Sequence, residues 1–297
     1  MKQAPAWVNP ALYPFTSRWI EIDDYELHYI DEGEGDVILI VHGTPEWSFG
    51  YRDIIRRLRQ QFRCVAIDML GFGLSEKAPG EVYACADHAQ RLSLFVKALN
   101  LGNVSLLAND FGGSIAMSYA IAHPENTRSI ILFNTWMWSL KEDKHYATPA
   151  RFMSGWLGRL MYLQFNFPVN VVMPAAFGDK RKFTKEIHRH YKKALPDAYS
   201  RKGAHAFAKE LIEASPWWQS LWQQADRVRD KPMLFFWGMK DKFIPPYELD
   251  KWRSRFPHAE VITFDDAGHL CDRKKRRRDG RGHRDISCQV IIASWMR

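Results

Sequence analysis

Three residues far apart in the chain could carry out nucleophilic substitution together: Asp110, Asp241 and His269. Asp110 lies in Ala108-Asn109-Asp110-Phe111-Gly112-Gly113, between the apolar run Val104–Leu107 and the helix-like stretch Ser114–Ala120. A strand, one reactive side chain among small residues, then a helix is the pattern of a nucleophile elbow. The turn is too tight for bulky neighbours two positions to either side. A carboxylate placed there attacks carbon and leaves an ester that water must cleave. Asn and Asp beside Gly are also ordinary turn formers. Asp-Phe-Gly occurs in protein kinases too, but no glycine-rich or catalytic-loop motif precedes it here. Asp241 follows the apolar run ending Phe236-Trp237-Gly238, and His269 follows Glu260–Phe264. Nucleophile, acid and histidine, in that order and each just beyond a predicted strand, form a triad at the carboxyl edge of a parallel sheet. Asp265 and Asp266 are weaker candidates for the acid.

The elements that must position these groups are legible as well. Trp19–Ile22 and Tyr25–Tyr29 flank Asp23-Asp24 and read as a hairpin. Val37–Val41 is a continuous apolar run of the buried-strand type, followed by His42-Gly43-Thr44-Pro45. Tyr51–Gln60 reads as a helix, Cys64–Ile67 as a strand, and Leu92, Phe95, Val96 and Leu99 as the apolar face of a helix. Ser129–Phe133, Met233–Trp237 and Glu260–Phe264 are further strands. Between them, from about 135 to 229, the chain is rich in Trp, Phe, Met and Pro with helical periodicity. Strand–helix alternation around a helical insertion predicts an α/β fold, a parallel sheet carrying a lid over an apolar substrate pocket. The expected division is core at 1–134, helical cap at 135–229, core again at 230–270, and an atypical tail at 271–297.

The tail holds nine Lys/Arg against three Asp, a net +6 of the chain's +8. Such a run can meet nucleic acid or an acidic surface, but no aromatic interleaving or binding module supports nucleic acid as a partner. The change of grammar after Leu270 fits either a genuine basic tail or a shifted reading frame, and no sheet-covering helix is expected in it. No apolar run approaches the ~20 residues of a membrane span, so no membrane partner is expected. No secretory signal is visible at Met1-Lys2-Gln3-Ala4-Pro5, and Cys64, Cys85, Cys271 and Cys288 have no metal or redox spacing. The expectation is a cytoplasmic protein. His188-Arg189-His190 lacks acidic or Cys neighbours for a metal, and Gly71 and Gly73 lack the dinucleotide pattern, so neither metal nor cofactor is expected. Nothing in the sequence sets an oligomeric state.

From Trp19 to His269 the chain resembles the haloalkane dehalogenase family of α/β-hydrolases. The matching pieces are His42-Gly43-Thr44-Pro45-Glu46-Trp47-Ser48, Asp68-Met69-Leu70-Gly71-Phe72-Gly73-Leu74-Ser75, the Asp110 elbow, Gly238-Met239-Lys240-Asp241-Lys242 and Asp266-Ala267-Gly268-His269. The resemblance implies an α/β-hydrolase fold, a mostly parallel sheet flanked by helices with an inserted cap. It implies Asp110 as nucleophile, Asp241 as the acid, His269 as the base that activates water, and the backbone N–H groups of Thr44 and Phe111 as oxyanion hole. The acid of the other branch would stand at Asn134, which cannot be anionic. The family usually has Trp after the nucleophile, where its indole N–H cradles the departing halide. Phe111 has no donor. Thr44 offers an O–H, and Trp136, Trp138 or Trp156 from the cap could offer an indole. Related readings are an epoxide hydrolase, using Tyr146, Tyr162, Tyr191 or Tyr199 to protonate a ring oxygen, and a β-lactone decarboxylase-like enzyme. A binding protein on this scaffold is the alternative from another class, and the intact order of nucleophile, acid and histidine argues against it.

Overall fold

The computed structural model describes residues 2–177, 180–269, 276–279, 282–285 and 288–296. The hairpin forms as expected: β1 (Ser17–Ile22) pairs antiparallel with β2 (Tyr25–Glu32). Its turn takes Asp23 and Asp24 to φ of 55° and 63°, a region Asp visits more readily than bulky residues. Then come β3 (Val37–Val41), α1 (Arg52–Leu58), β4 (Arg63–Ile67), α2 (Cys85–Ala98), β5 (Val104–Asn109), α3 (Asp110–Ala122) and β6 (Thr127–Phe133). Every residue of β3 and β5 is buried, as strands covered on both faces require.

The chain next leaves the sheet for a run of helices: α4 (Lys144–Ser154), α5 (Trp156–Leu163), a π turn at Pro168–Val172, α6 (Met173–Ala176), α7 (Lys185–Ala194), α8 (Lys202–Glu213) and α9 (Ser215–Gln223). Asp143 caps α4 by accepting from the His145 amide at 2.8 Å, and Thr184 caps α7 through the Ile187 amide. Ile187, His190, Tyr191 and Ala194 are the buried stripe of α7, spaced i, i+3, i+4, i+7. β7 (Met233–Gly238), α10 (Tyr247–Arg255) and β8 (Glu260–Phe264) return the chain to the core. The sheet order is β1-β2-β4-β3-β5-β6-β7-β8, parallel from β4 to β8. Because β3 leads to β4 on one side while β5 lies on the other, a crevice opens beyond the ends of β3 and β5.

Part of the expected basic tail (271–275, 280–281, 286–287 and 297) lies outside the described residues, and with it the question of the reading frame. The described part contains an antiparallel pair, β9 (Arg276–Asp279) with β10 (Gly282–Asp285), and α11 (Cys288–Trp295). The expectation of no covering helix after 270 is corrected here: α11 packs against α1 and buries Cys288, Gln289, Ile292 and Ala293. Cys288 and Ile292 are four residues apart on one face, a stripe too short to stand out after six consecutive basic residues.

Candidate active site

Asp110 sits where β5 turns into α3, with φ at 51°. A non-glycine residue in this conformation marks strain held by its surroundings, common where a side chain must be presented to a ligand. The elbow can close because Gly112 has no side chain: a Cβ there would collide with the carbonyl oxygens of Val41 and His42. Likewise a Cβ on Gly43 would strike the Asp110 side chain itself. With that space clear, the Thr44 amide donates to Asp110 Oδ1 at 2.9 Å. Thr135 Oγ1 donates to the Asp110 carbonyl at 2.6 Å and fixes the turn from β6.

His269 and Asp241 arrive from the far side of the sheet. His269 Nδ1 lies 2.8 Å from Asp241 Oδ2, and His269 Nε2 lies 3.4 Å from Asp110 Oδ2. Asp241 Oδ1 accepts from the amides of Phe243 and Ile244 at 2.7 and 3.0 Å. Both of its oxygens are thus engaged, and only one orientation of the carboxylate serves the imidazole. Asp265 and Asp266 are exposed, and the acid bonded to His269 is Asp241. Burial alone would push the His269 imidazole down; the carboxylates of Asp241 and Asp110 outweigh it and hold it well above the ordinary value.

That shift has a sign that can be tested. A histidine raised in the folded state stabilises the protein fully below its unfolded value of about 6.5 and loses that contribution as pH climbs through the raised value. Replacing Asp110 by Asn removes one of the two anions. His269 in D110N should therefore titrate at lower pH by NMR, and the alkaline loss of stability should begin earlier. An unchanged His269 titration would show that Asp110 does not face it.

A cavity of about 410 Å³ opens over Asp110, and its lining is mostly apolar, including Phe111, Trp136, Met153, Phe167, Phe207 and Leu211. Of the three candidate tryptophans only Trp136 belongs to it. Its indole Nε1 is buried with no hydrogen-bond partner among the described residues, and the same holds for Thr44 Oγ1, also on the cavity wall. The indoles of Trp47, Trp218 and Trp237 are unpaired too, but none of these residues lines the cavity. Trp138 and Trp156 fall outside it, which corrects the expectation. Trp138 Nε1 is committed to Glu248 at 3.0 Å, and Trp156 is 79% exposed on the outer side of α5. Tyr146 and Tyr162 line the cavity; Tyr191 and Tyr199 do not. Among the described residues no cluster of three His, Cys, Asp or Glu is placed to hold a metal ion. His188 and His190 instead serve the backbone groups of Val169 and Asn9.

Two supporting groups escaped the sequence reading. Asn134, noted only as a missing acid, accepts from the Gly238 amide at 2.8 Å and donates to the carbonyls of Gly238 and Ile244. It ties β6 to both ends of the loop that carries Asp241. Glu46, buried on the cavity wall, accepts from Asn109 Nδ2 at 3.0 Å, while Asn109 Oδ1 accepts from the Tyr51 hydroxyl. The residue before the nucleophile is therefore held by its side chain. Neither pairing has a sequence signature, because the partners lie 63 or more residues apart.

Residues 36–271 match the family described as alpha/beta hydrolase fold. Haloalkane dehalogenase 2 of Mycobacterium tuberculosis is 37% identical over 264 residues, covering 88% of this chain and 91% of that protein. A cis-3-alkyl-4-alkyloxetan-2-one decarboxylase of Shewanella oneidensis is 29% identical over 87% of this chain and 84% of its own length. Among solved structures, the haloalkane dehalogenase DatA of Agrobacterium tumefaciens shares the fold with a TM-score of 0.79 at 21% identity, over 89% of this chain and 93% of that one. With the family matched over most of its length and the dehalogenase relative aligned nearly end to end, the chain belongs to the α/β-hydrolases, as a haloalkane dehalogenase-like hydrolytic enzyme.

Proposed function

We propose that the enzyme cleaves a small apolar substrate through a covalent ester on Asp110. The observation that carries this reading is the Asp110 Oδ2 to His269 Nε2 approach of 3.4 Å at the wall of a largely apolar cavity. One carboxylate oxygen of Asp110 attacks the substrate carbon, the C–O bond forms, and the leaving group departs with the electron pair. Esterification removes the Asp110 charge, and with it one of the two anions that keep His269 protonated. The imidazole then releases its proton to solvent and accepts one from the attacking water. Hydroxide adds to the ester carbonyl, whose developing oxyanion is met by the backbone N–H groups of Thr44 and Phe111. On collapse the Cγ–O bond to the alkyl group breaks, the proton of the added hydroxyl passes to the departing alkoxide to give the alcohol, and the Asp110 carboxylate is restored. Asp241 keeps the imidazole in the tautomer this step needs.

The leaving group is proposed to be halide, with Thr44 Oγ1–H and Trp136 Nε1–H as its donors in place of the indole that Phe111 lacks. Both atoms are buried and unpaired, and both residues line the cavity; an unsatisfied buried donor is costly unless a ligand takes it. In bromoalkane assays, W136F and T44V should each lower turnover by roughly ten- to a hundredfold, matching loss of ~1.5–3 kcal/mol for a bond to a charged group. A second reading rests on Tyr146 and Tyr162, whose rings line the same cavity and whose phenols could protonate the oxygen of a strained ring. A panel of bromoalkanes, epoxides and β-lactones separates the two. Ring opening that is lost in Y162F, with no bromide release, would overturn the halide assignment and leave the Asp110 ester intact.

A further inference from the structure

The outer side of the helical insertion is apolar where a soluble surface is normally polar. Of the eleven large hydrophobic residues exposed among the described residues, six fall within 152–171: Phe152, Trp156, Leu157, Leu160, Phe165 and Val171. Trp156 is 79% exposed and Phe165 65%. The opposite faces of the same helices are already committed, since Ala150, Met153 and Tyr162 line the cavity. A helix that is apolar on both sides calls for an apolar medium on both sides.

Charge says what that medium is. Residues 144–194 contain ten Lys/Arg and only Asp179 and Glu186 as acids, a net +8 equal to that of the whole chain. With +6 more in 271–297, the remaining chain carries −6. Beside the apolar patch, a depression of about 360 Å³ is lined by Arg159, Lys202, His205 and Lys209, together with Ser154 and Glu81. Glu81 is already paired with Arg91 and Lys209 with Glu213, whereas Arg159 has no carboxylate partner among the described residues. A second copy of this chain would bring the same +8 segment against itself in a two-fold contact, which is repulsive. Trp, Phe and Leu beside Arg159, Lys202 and Lys209 match an anionic lipid surface, with rings at the headgroup level and cations on the phosphates.

We propose that residues 152–171 of the cap dock the enzyme on anionic membranes, lying on the bilayer without spanning it. The chemistry at Asp110 is not needed for this. The test is co-sedimentation of the full chain with vesicles of phosphatidylcholine alone and of phosphatidylcholine with phosphatidylglycerol. Binding is expected on the anionic vesicles, weak on the neutral ones, and reduced by salt. The double variant W156S/F165S, with unchanged thermal stability, should lose at least about tenfold in partitioning, and R159E/K209E a similar amount. Three results would overturn the proposal. One is no binding to anionic vesicles; another is binding unchanged in W156S/F165S, which would assign it to the basic tail. The third is a dimer in solution that W156S/F165S converts to monomer, which would make a second copy the occupant.

Discussion

H269Q should stop at the covalent stage and accumulate the ester. Among the described residues, the imidazole bonded to Asp241 at 2.8 Å is the group that approaches Asp110 and would take a proton from water in the proposed reaction. Losing a positioned general base costs about 10²–10⁴-fold in the step it serves. Alkylation of Asp110 does not need that proton transfer, so it continues. Intact-protein mass spectrometry of H269Q after substrate addition should therefore show one stable adduct, located on the peptide holding Asp110. D110N should show neither adduct nor steady-state turnover. Turnover by D110N, or an adduct on another residue, would remove Asp110 from the reaction.

The second large effect is on stability. Asp68 is fully buried and engages three elements at once: His28 Nδ1 on β2 at 2.8 Å, the Ser48 amide at 2.7 Å and the Leu74 amide at 2.9 Å. Burial alone would push its carboxyl up; the His28 charge and hydrogen bond, then His42 and the Leu74 amide, bring it down to about 2. A depressed carboxylate stabilises above its unfolded value near 3.9 and loses that contribution as pH falls through the folded one, so acid should weaken this core between about pH 4 and 2. D68A leaves His28 Nδ1 and two amides unpaired in the interior, a loss of roughly 3–5 kcal/mol. Urea unfolding should register it as a lower midpoint at unchanged slope. D68N, which keeps the shape and one acceptor, should recover part of it. A D68A protein as stable as the parent would mean that the buried pair contributes nothing net.

The three residues that meet at the cavity were readable as a candidate triad because each lies just beyond a strand end and has an unmistakable neighbour: Gly112 for Asp110, Gly238 for Asp241, Gly268 for His269. The strands themselves were readable because continuous runs such as Val37–Val41 have no other stable home than a sheet covered on both faces. What stayed hidden depends on distance in the chain. Trp136, Trp138 and Trp156 are alike in sequence, and only the packing against Glu248, or the outward face of α5, separates the one that meets the cavity from the two that do not. Asn134 was read for the charge it lacks, since its bonds to Gly238 and Ile244 span more than a hundred residues. Periodicity analysis sees neighbours on one element and is blind to such bridges.

Bridges of the same kind tie the start of the cap to the elements around Asp241. Where the chain leaves β6, Trp252 Nε1 donates to the Thr135 carbonyl, Trp138 Nε1 to Glu248, and the Tyr247 hydroxyl to Asp143. His145 reaches the Phe243 carbonyl a few residues past Asp241. This side is riveted to α10 and to the loop that carries Asp241. On the other side the Asn9 amide donates to His190 on α7. α8 is tied to the core as well, since Glu210 accepts from the Cys85 amide at 2.8 Å, while α4 and α5 pack mainly on α8 within the cap itself. The start of the cap and the loop that holds Asp241 therefore rest on one framework.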